Sequence, residues 1–275
     1  MPDLHMVVCM KVVPKPEEVH VDPATRLLDR AHARSEINPP DMNALEFALE
    51  LKDRYGGRVS ILSMGPPFFE PYLRVGLAMG ADHVYLLSDR AFGGADTLAT
   101  TYTLAQGIQK MGGADLIFCG EESSDGATGQ VPPGLAEWLD ICQITLVSDF
   151  DIDLARSVAR GRREIRGGYE VLEVPLPAVV SVKTASNEPR FMDYRIKPWA
   201  FAEGRVTVWA KTDLQADGAC IGVPGSPTTV SELMQAPARE RKREFLIGTS
   251  EEIVQRLVEL LHDVSRNAPE TLQKS

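Results

Sequence analysis

The residues best suited to chemistry lie between Gly120 and Trp138, which read GEESSDGATGQVPPGLAEW. Ser123, Ser124, Asp125, Thr128 and Gln130 offer hydroxyl, carboxylate and amide groups. Gly126 and Gly129 permit positive φ and a close approach of backbone to ligand. An apolar run ending at Cys119 precedes this stretch, and a helix-like segment, Pro132 to Leu139, follows it. A buried strand, a polar loop and then a helix place several backbone N–H groups at a helix N-terminus, where a nucleotide phosphate is favoured. The pattern is neither a Walker A loop nor a GxGxxG fingerprint. An ordinary polar connection capping its helix would use the same residue types.

Two further groups carry the same double reading. Asp96, Thr97 and Thr100 open a helix; the two threonines lie on one face and could donate to a phosphate, or bond their own backbone behind a capping Asp96. Asn38 and Asp41 could either cap a helix or face a ligand. The chemistry on offer is binding. His5, His20, His32, His83 and His262 are not placed near a plausible nucleophile, and no HExxH or paired-carboxylate spacing occurs. Cys9, Cys119, Cys142 and Cys220 are scattered without a CxxC pair, which argues against a metal site or a disulfide framework and fits a reducing cytoplasm.

The elements that must position these groups are legible as an alternation. Apolar strand runs at 4–13, 58–64, 83–88 and 115–119 are separated by helical patterns. The first helix starts at Asn38 and Pro39 and stops at Gly56-Gly57; the second runs from about Pro67 to Met79; the third from Asp96 to Gly112, with Leu98, Tyr102, Ala105 and Ile108 on one side. This is an α/β pattern with a mainly parallel, doubly wound, Rossmann-like sheet, in which ligands bind at the carboxyl ends of strands. The loops after Cys9, Met64, Ser88 and Cys119 should then surround one crevice. Segments 143–149, 156–165, 169–174 and 178–183 read as a β-hairpin and a return strand. Beyond Ala185 periodicity fades until Gly248-Thr249-Ser250-Glu251-Glu252 caps a last amphipathic helix through Ile253, Leu257, Leu260 and Leu261. The expected organisation is a nucleotide-binding domain over 1–185 and a loop and arm over 186–275 that pack on a partner.

The 275 residues carry a net charge of −10, with no basic stretch to offset it, which excludes a nucleic-acid binder. No apolar run reaches the ~18 residues of a membrane span. A strand begins almost at once, so no signal or transit segment is expected.

At the level of motifs the chain resembles the β subunit of electron-transfer flavoproteins over nearly its whole length. The matching pieces are CMKVVP at 9–14, INPPDMNALEFALELK at 37–52, SMGPP at 63–67, GLAMGAD at 76–82, GADTLATTY at 94–102, DGATGQVPPGLAE at 125–137, NEPRF at 187–191 and GSPT at 225–228. The resemblance implies a heterodimer with an FAD-carrying α subunit. It implies a β-subunit crevice holding either a structural AMP or, in electron-bifurcating members, a second FAD; the DGATGQVP loop and GADTLAT resemble the FAD-binding branch. The implied cofactor-binding residues are Cys9, Asn38, Asp41, Met64, Gly65, Asp96, Thr97, Thr100, Cys119, Gly120, Asp125, Gly126, Thr128, Gly129, Gln130 and Val131. NADH would supply an electron pair, divided between a low-potential ferredoxin or flavodoxin and a path through the α-subunit FAD to an acyl-CoA dehydrogenase. The NEPRFMDYRIKPW segment matches the loop that docks on that dehydrogenase, with Glu188, Pro189, Arg190 and an anchoring Tyr194, and Glu170 matches a family acidic residue that influences movement of the flavin domain. Glu121 and Glu122 depart from the family's pattern, and beside a pyrophosphate they must point away or meet a partner arginine.

Overall fold

The computed structural model describes residues 4–15, 20–21, 28–29, 34–228 and 245–266. In chain order the strands and helices are β1 (His5–Cys9), β2 (Val12–Pro14), β3 (His20–Val21), β4 (Leu28–Asp29), β5 (Ser35–Ile37), α1 (Pro39–Tyr55), β6 (Arg58–Met64), α2 (Glu70–Met79), β7 (His83–Leu87), α3 (Thr97–Lys110), β8 (Leu116–Gly120) and α4 (Val131–Leu139). There follow β9 (Cys142–Asp153), β10 (Val158–Ile165), β11 (Gly168–Pro175), β12 (Ala178–Val182), a short α5 (Lys197–Ala200), β13 (Val206–Trp209) and α6 (Ser250–Arg266). Residues Met1–Leu233 form one compact unit and Met234–Ser275 a second.

Nine strands make the main sheet in the order β11-β10-β9-β12-β8-β1-β6-β7-β13. Pairing is parallel from β9 through β13 and antiparallel only in the β9-β10-β11 meander. Alternate side chains of each strand serve opposite faces. Met6, Val8, Ile61 and Phe118 pack with α1 and α2, while Val7, Cys9, Leu62 and Ile117 pack with α3 and α4. Helices cover both faces, as a doubly wound sheet requires.

Several sequence expectations need correction. The run 4–13 is two strands, because after Met10 donates to the Leu62 carbonyl the Lys11 N–H turns to Asp41 instead, and β2 leaves the sheet to pair with β5. Leu98 does not join the buried side of α3. It is 48% exposed, and the packed face runs through Thr101, Leu104, Ala105 and Ile108. A single 3-10 turn, Pro67–Phe69, precedes α2. The stretch where periodicity fades contributes the edge strand β13, whose Trp209 ring lies 4.6 Å from that of Tyr85. In the second unit, Thr249 and Glu252 form the expected capping box: the Thr249 N–H donates to the Glu252 carboxylate at 2.8 Å. The basic cluster RERKR, Arg239 to Arg243, lies outside the described residues.

Candidate functional site

Strand order reverses its direction of growth at β1, with β6 on one side and β8 on the other. In open parallel sheets that point opens a crevice at the carboxyl ends. A cavity of about 690 Å³ lies there. It is lined by Cys9, Asn38, Asp41, Met64, Asp96, Thr97, Thr100, Cys119, Gly120, Asp125, Gly126, Thr128, Gly129, Gln130 and Val131, all singled out from sequence. Gly65 is not among the lining residues. Its N–H bonds the Leu87 carbonyl at 3.0 Å, and the Phe69 ring fills the space a side chain would need.

Asp41 is the hub of the site. One carboxylate oxygen accepts from the Lys11 N–H at 2.7 Å; the other accepts from the Gly120 N–H and the Asn38 amide, each at 3.1 Å. Burial pushes its carboxyl up to about 7, against the opposing pull of those donors and of the Lys11 charge. Asn38 begins α1 but its side chain caps nothing. It donates instead to the Glu122 carbonyl at 2.9 Å and accepts from the Ser124 N–H at 3.1 Å, clipping the polar loop to the start of α1. Gly120 is required at this junction, since a Cβ there would sit 2.4 Å from the Asp41 carboxylate and 2.9 Å from the backbone of Pro40.

At the start of α3 the structure takes the capping alternative that the sequence left open. Asp96 caps α3, accepting from the Leu98 and Ala99 N–H groups at 2.9 and 3.1 Å, which leaves the Thr97 N–H of that terminus without an acceptor among the described residues. Its second oxygen holds the Thr228 N–H and hydroxyl at 3.0 and 2.7 Å. Burial would raise the Asp96 carboxyl, but the Thr228 hydroxyl and the backbone donors outweigh it and hold the group below its ordinary value. α4 starts one residue early, at Val131, and its next two residues are prolines without N–H groups, so it offers fewer donors than the pattern suggested. In the polar loop and at its helix the N–H groups of Glu122, Ser123, Thr128, Gly129 and Val131 likewise have no acceptor among the described residues. The Thr97 hydroxyl donates to the Gln130 amide oxygen at 2.7 Å. Thr100, half-buried, directs no hydroxyl bond to any described residue.

Sequence reasoning missed Lys11, which lines the cavity and reaches Asp125 at 2.6 Å and Ser123 at 3.3 Å. Its signal was a basic residue two positions after Cys9, at the carboxyl end of β1. Leu62, Phe92, Leu104 and Thr228 were also missed; their participation depends on tertiary packing. The cavity floor is apolar. Cys9 and Cys119 are free thiols and register partners on β1 and β8; a hydrogen bond with the Cys9 thiol, together with burial, pushes the Cys119 thiol up, so it stays neutral. Glu121 is engaged, accepting from the Thr184 N–H at 2.8 Å.

The remaining singled-out residues lie away from the cavity. Glu170 pairs with its cross-strand neighbour Arg163 at 2.8 Å. Arg190 forks onto Glu46 and reaches Asp53 at 2.8 Å, so its side chain anchors its own loop to α1. Glu188 is exposed, Pro189 half-buried, and Tyr194 71% exposed beneath the Lys197 ammonium. Among the described residues no group of His, Cys, Asp or Glu is placed to hold a metal ion, and no helix is long and apolar enough to cross a membrane.

Comparison with known proteins is consistent along the chain. The model of the electron transfer flavoprotein domain matches residues 25–214. The electron transfer flavoprotein subunit beta of Thermoanaerobacterium thermosaccharolyticum is 40% identical, covering 94% of this chain and 98% of that protein. Protein FixA of Bradyrhizobium diazoefficiens is 38% identical over 94% of this chain and 91% of its own length. Caffeyl-CoA reductase-Etf complex subunit CarD of Acetobacterium woodii is 40% identical over 90% and 93%. With a doubly wound sheet, a cavity at its switch point and matches of this extent, the chain belongs to the β-subunit branch of the electron transfer flavoprotein family.

Proposed function

We propose that this chain is the β subunit of a heterodimeric electron-transfer flavoprotein that holds FAD in the cavity described above. In this reading it passes electrons between NADH or an acyl-CoA dehydrogenase and a second acceptor by flavin-based electron bifurcation. The observation that carries the reading is the convergence of donors in one cavity. The N–H groups of Thr128, Gly129 and Val131, the Thr100 hydroxyl and the Lys11 ammonium suit a diphosphate. The volume falls within the roughly 300–1,000 Å³ of small-molecule sites. FAD, when bound, supplies one- and two-electron transfer.

The chain's own residues bind, orient and exclude water. Cys9, Leu62, Met64, Leu104 and Cys119 form an apolar wall suited to a ring system. Asn38 and Asp41 fix the loop that carries the phosphate donors. Glu121, turned onto Thr184, keeps its charge engaged. The acyl-CoA dehydrogenase docks on the loop bearing Glu188, Pro189 and Tyr194, held by Arg190, and the α subunit meets the hairpin near Glu170 and the arm after residue 186. Ferredoxin or flavodoxin takes the low-potential electron, in the cytoplasm. The caffeyl-CoA reductase-Etf complex named for one relative supports the choice.

The test is NADH-driven ferredoxin reduction by the purified heterodimer with an acceptor for the second electron. Coupled reduction of both acceptors is expected. Reduction of the second acceptor alone would remove bifurcation and leave a carrier whose β site holds a structural AMP.

A further inference from the structure

The cavity presents a charge problem to any phosphate-bearing ligand. Its lining includes the carboxylates Asp41, Asp96, Glu121, Glu122 and Asp125, and a single Lys, Arg or His among the described residues, Lys11. Asp41, Asp96 and Glu121 are each occupied by N–H or hydroxyl donors. Lys11 is itself neutralised, with Nζ 2.6 Å from Asp125. Burial would raise the Asp125 carboxyl, but the bond and charge of Lys11 outweigh it and hold it below its ordinary value, so Asp125 is ionised at neutral pH.

This pair is built to exchange. The Lys11 side chain is 45% exposed and that of Asp125 22%, so the ammonium side of the pair is open to water and to an entering ligand. The Lys11 backbone is pinned by its N–H to Asp41, while the flexible stem can swing an ammonium held by Asp125 and, at 3.3 Å, by the Ser123 hydroxyl. Asp125 stands on the loop beside Gly126, close to the unpaired N–H groups of Thr128 and Gly129.

We propose that Lys11 and Asp125 form an exchangeable ion pair that selects ligands by charge: the Lys11 ammonium leaves Asp125 for a phosphate oxygen of the entering nucleotide. The inference rests on the nucleotide-binding reading of the cavity. A diphosphate offers more charge than the carboxylate it replaces; an uncharged nucleoside offers none and leaves the pair closed. Asp125 is therefore a specificity-determining residue that works against its own site, and Lys11 the group that rewards phosphate.

The experiment is isothermal titration of the full-length chain, co-expressed with an electron-transfer flavoprotein α chain and freed of β-site nucleotide. The ligands are ADP, AMP and adenosine, and the proteins wild type, Lys11→Gln and Asp125→Asn. Wild type should bind ADP over AMP over adenosine. Lys11→Gln should weaken ADP by about tenfold, flatten that ladder and reduce the salt dependence, with adenosine unchanged. Asp125→Asn should tighten ADP several-fold. Loss of ADP affinity in Asp125→Asn comparable to that in Lys11→Gln would make the pair a structural clip and overturn the inference, as would a ladder unchanged in Lys11→Gln. Failure of the wild type to bind any of the three ligands would instead overturn the nucleotide reading, and the exchange with it.

Discussion

At the scale of single residues, the cavity is governed by one buried carboxylate satisfying three donors. Replacing Asp41 by Asn removes an acceptor, because one amide end must face a buried N–H; the cost should be about 1–3 kcal/mol at pH 5. The sign of the pH dependence follows from the raised carboxyl. Asp41 contributes stability that is fully present below its ordinary value near 3.8 and is lost as pH rises through about 7. Urea unfolding at pH 5 and pH 8 should therefore show the gap between wild type and Asp41→Asn narrowing with pH; a constant gap would contradict the assignment. The phosphate reading makes a separate prediction for Thr97 and Thr100. The Thr97→Val, Thr100→Val double variant should lose β-site nucleotide occupancy with its fold intact, and unchanged occupancy would remove both residues from the site. The sequence pattern announced the donors but not their engagements. That Asn38 would hold a loop 84 residues away, and that Asp96 would spend both oxygens on its helix and on Thr228, are consequences of tertiary contact that spacing along the chain does not encode.

At the scale of elements, α1 is a strut with two attachments. Its start holds the polar loop after Gly120 through Asn38 and Asp41, and farther along Asn43 and Glu46 hold the segment that carries Tyr194. Asn43 and Asn187 bond reciprocally at 2.8 and 3.0 Å, and Arg190 lies bidentate on a nearly buried Glu46. Arg190→Ala strands that carboxylate and should cost about 1–3 kcal/mol in denaturant unfolding. Tyr194→Ala, at an exposed site, should shift stability by less than about 0.5 kcal/mol and slow electron delivery to the dehydrogenase; a wild-type rate would eliminate Tyr194 as the anchor. Helices α1 and α3 were readable because Pro39 and Asp96 start them and glycines follow them. β13 was not, because four residues at a sheet edge with two exposed side chains leave no periodic signature. The break after Met10 was equally hidden, since Val12 and Val13 continue an apolar run whose partner changes.

At the scale of the whole molecule, an acidic chain pairs a doubly wound unit with a separate unit whose described helix, α6, is amphipathic and exposes Val254, Leu257, Val258 and Leu261. An isolated helix of this kind is stabilised by packing its apolar side on something else. Expression without the α chain should accordingly give poorly soluble protein, and co-expression should rescue it; a stable, colourless homodimer would argue for a nucleotide-binding module with no redox partner. Under the proposed function the cavity at the β1/β8 switch point holds FAD. Counting FAD and AMP released on denaturing the co-expressed heterodimer tests it directly. Two FAD and no AMP per heterodimer is the expected result; one FAD with one AMP would contradict it.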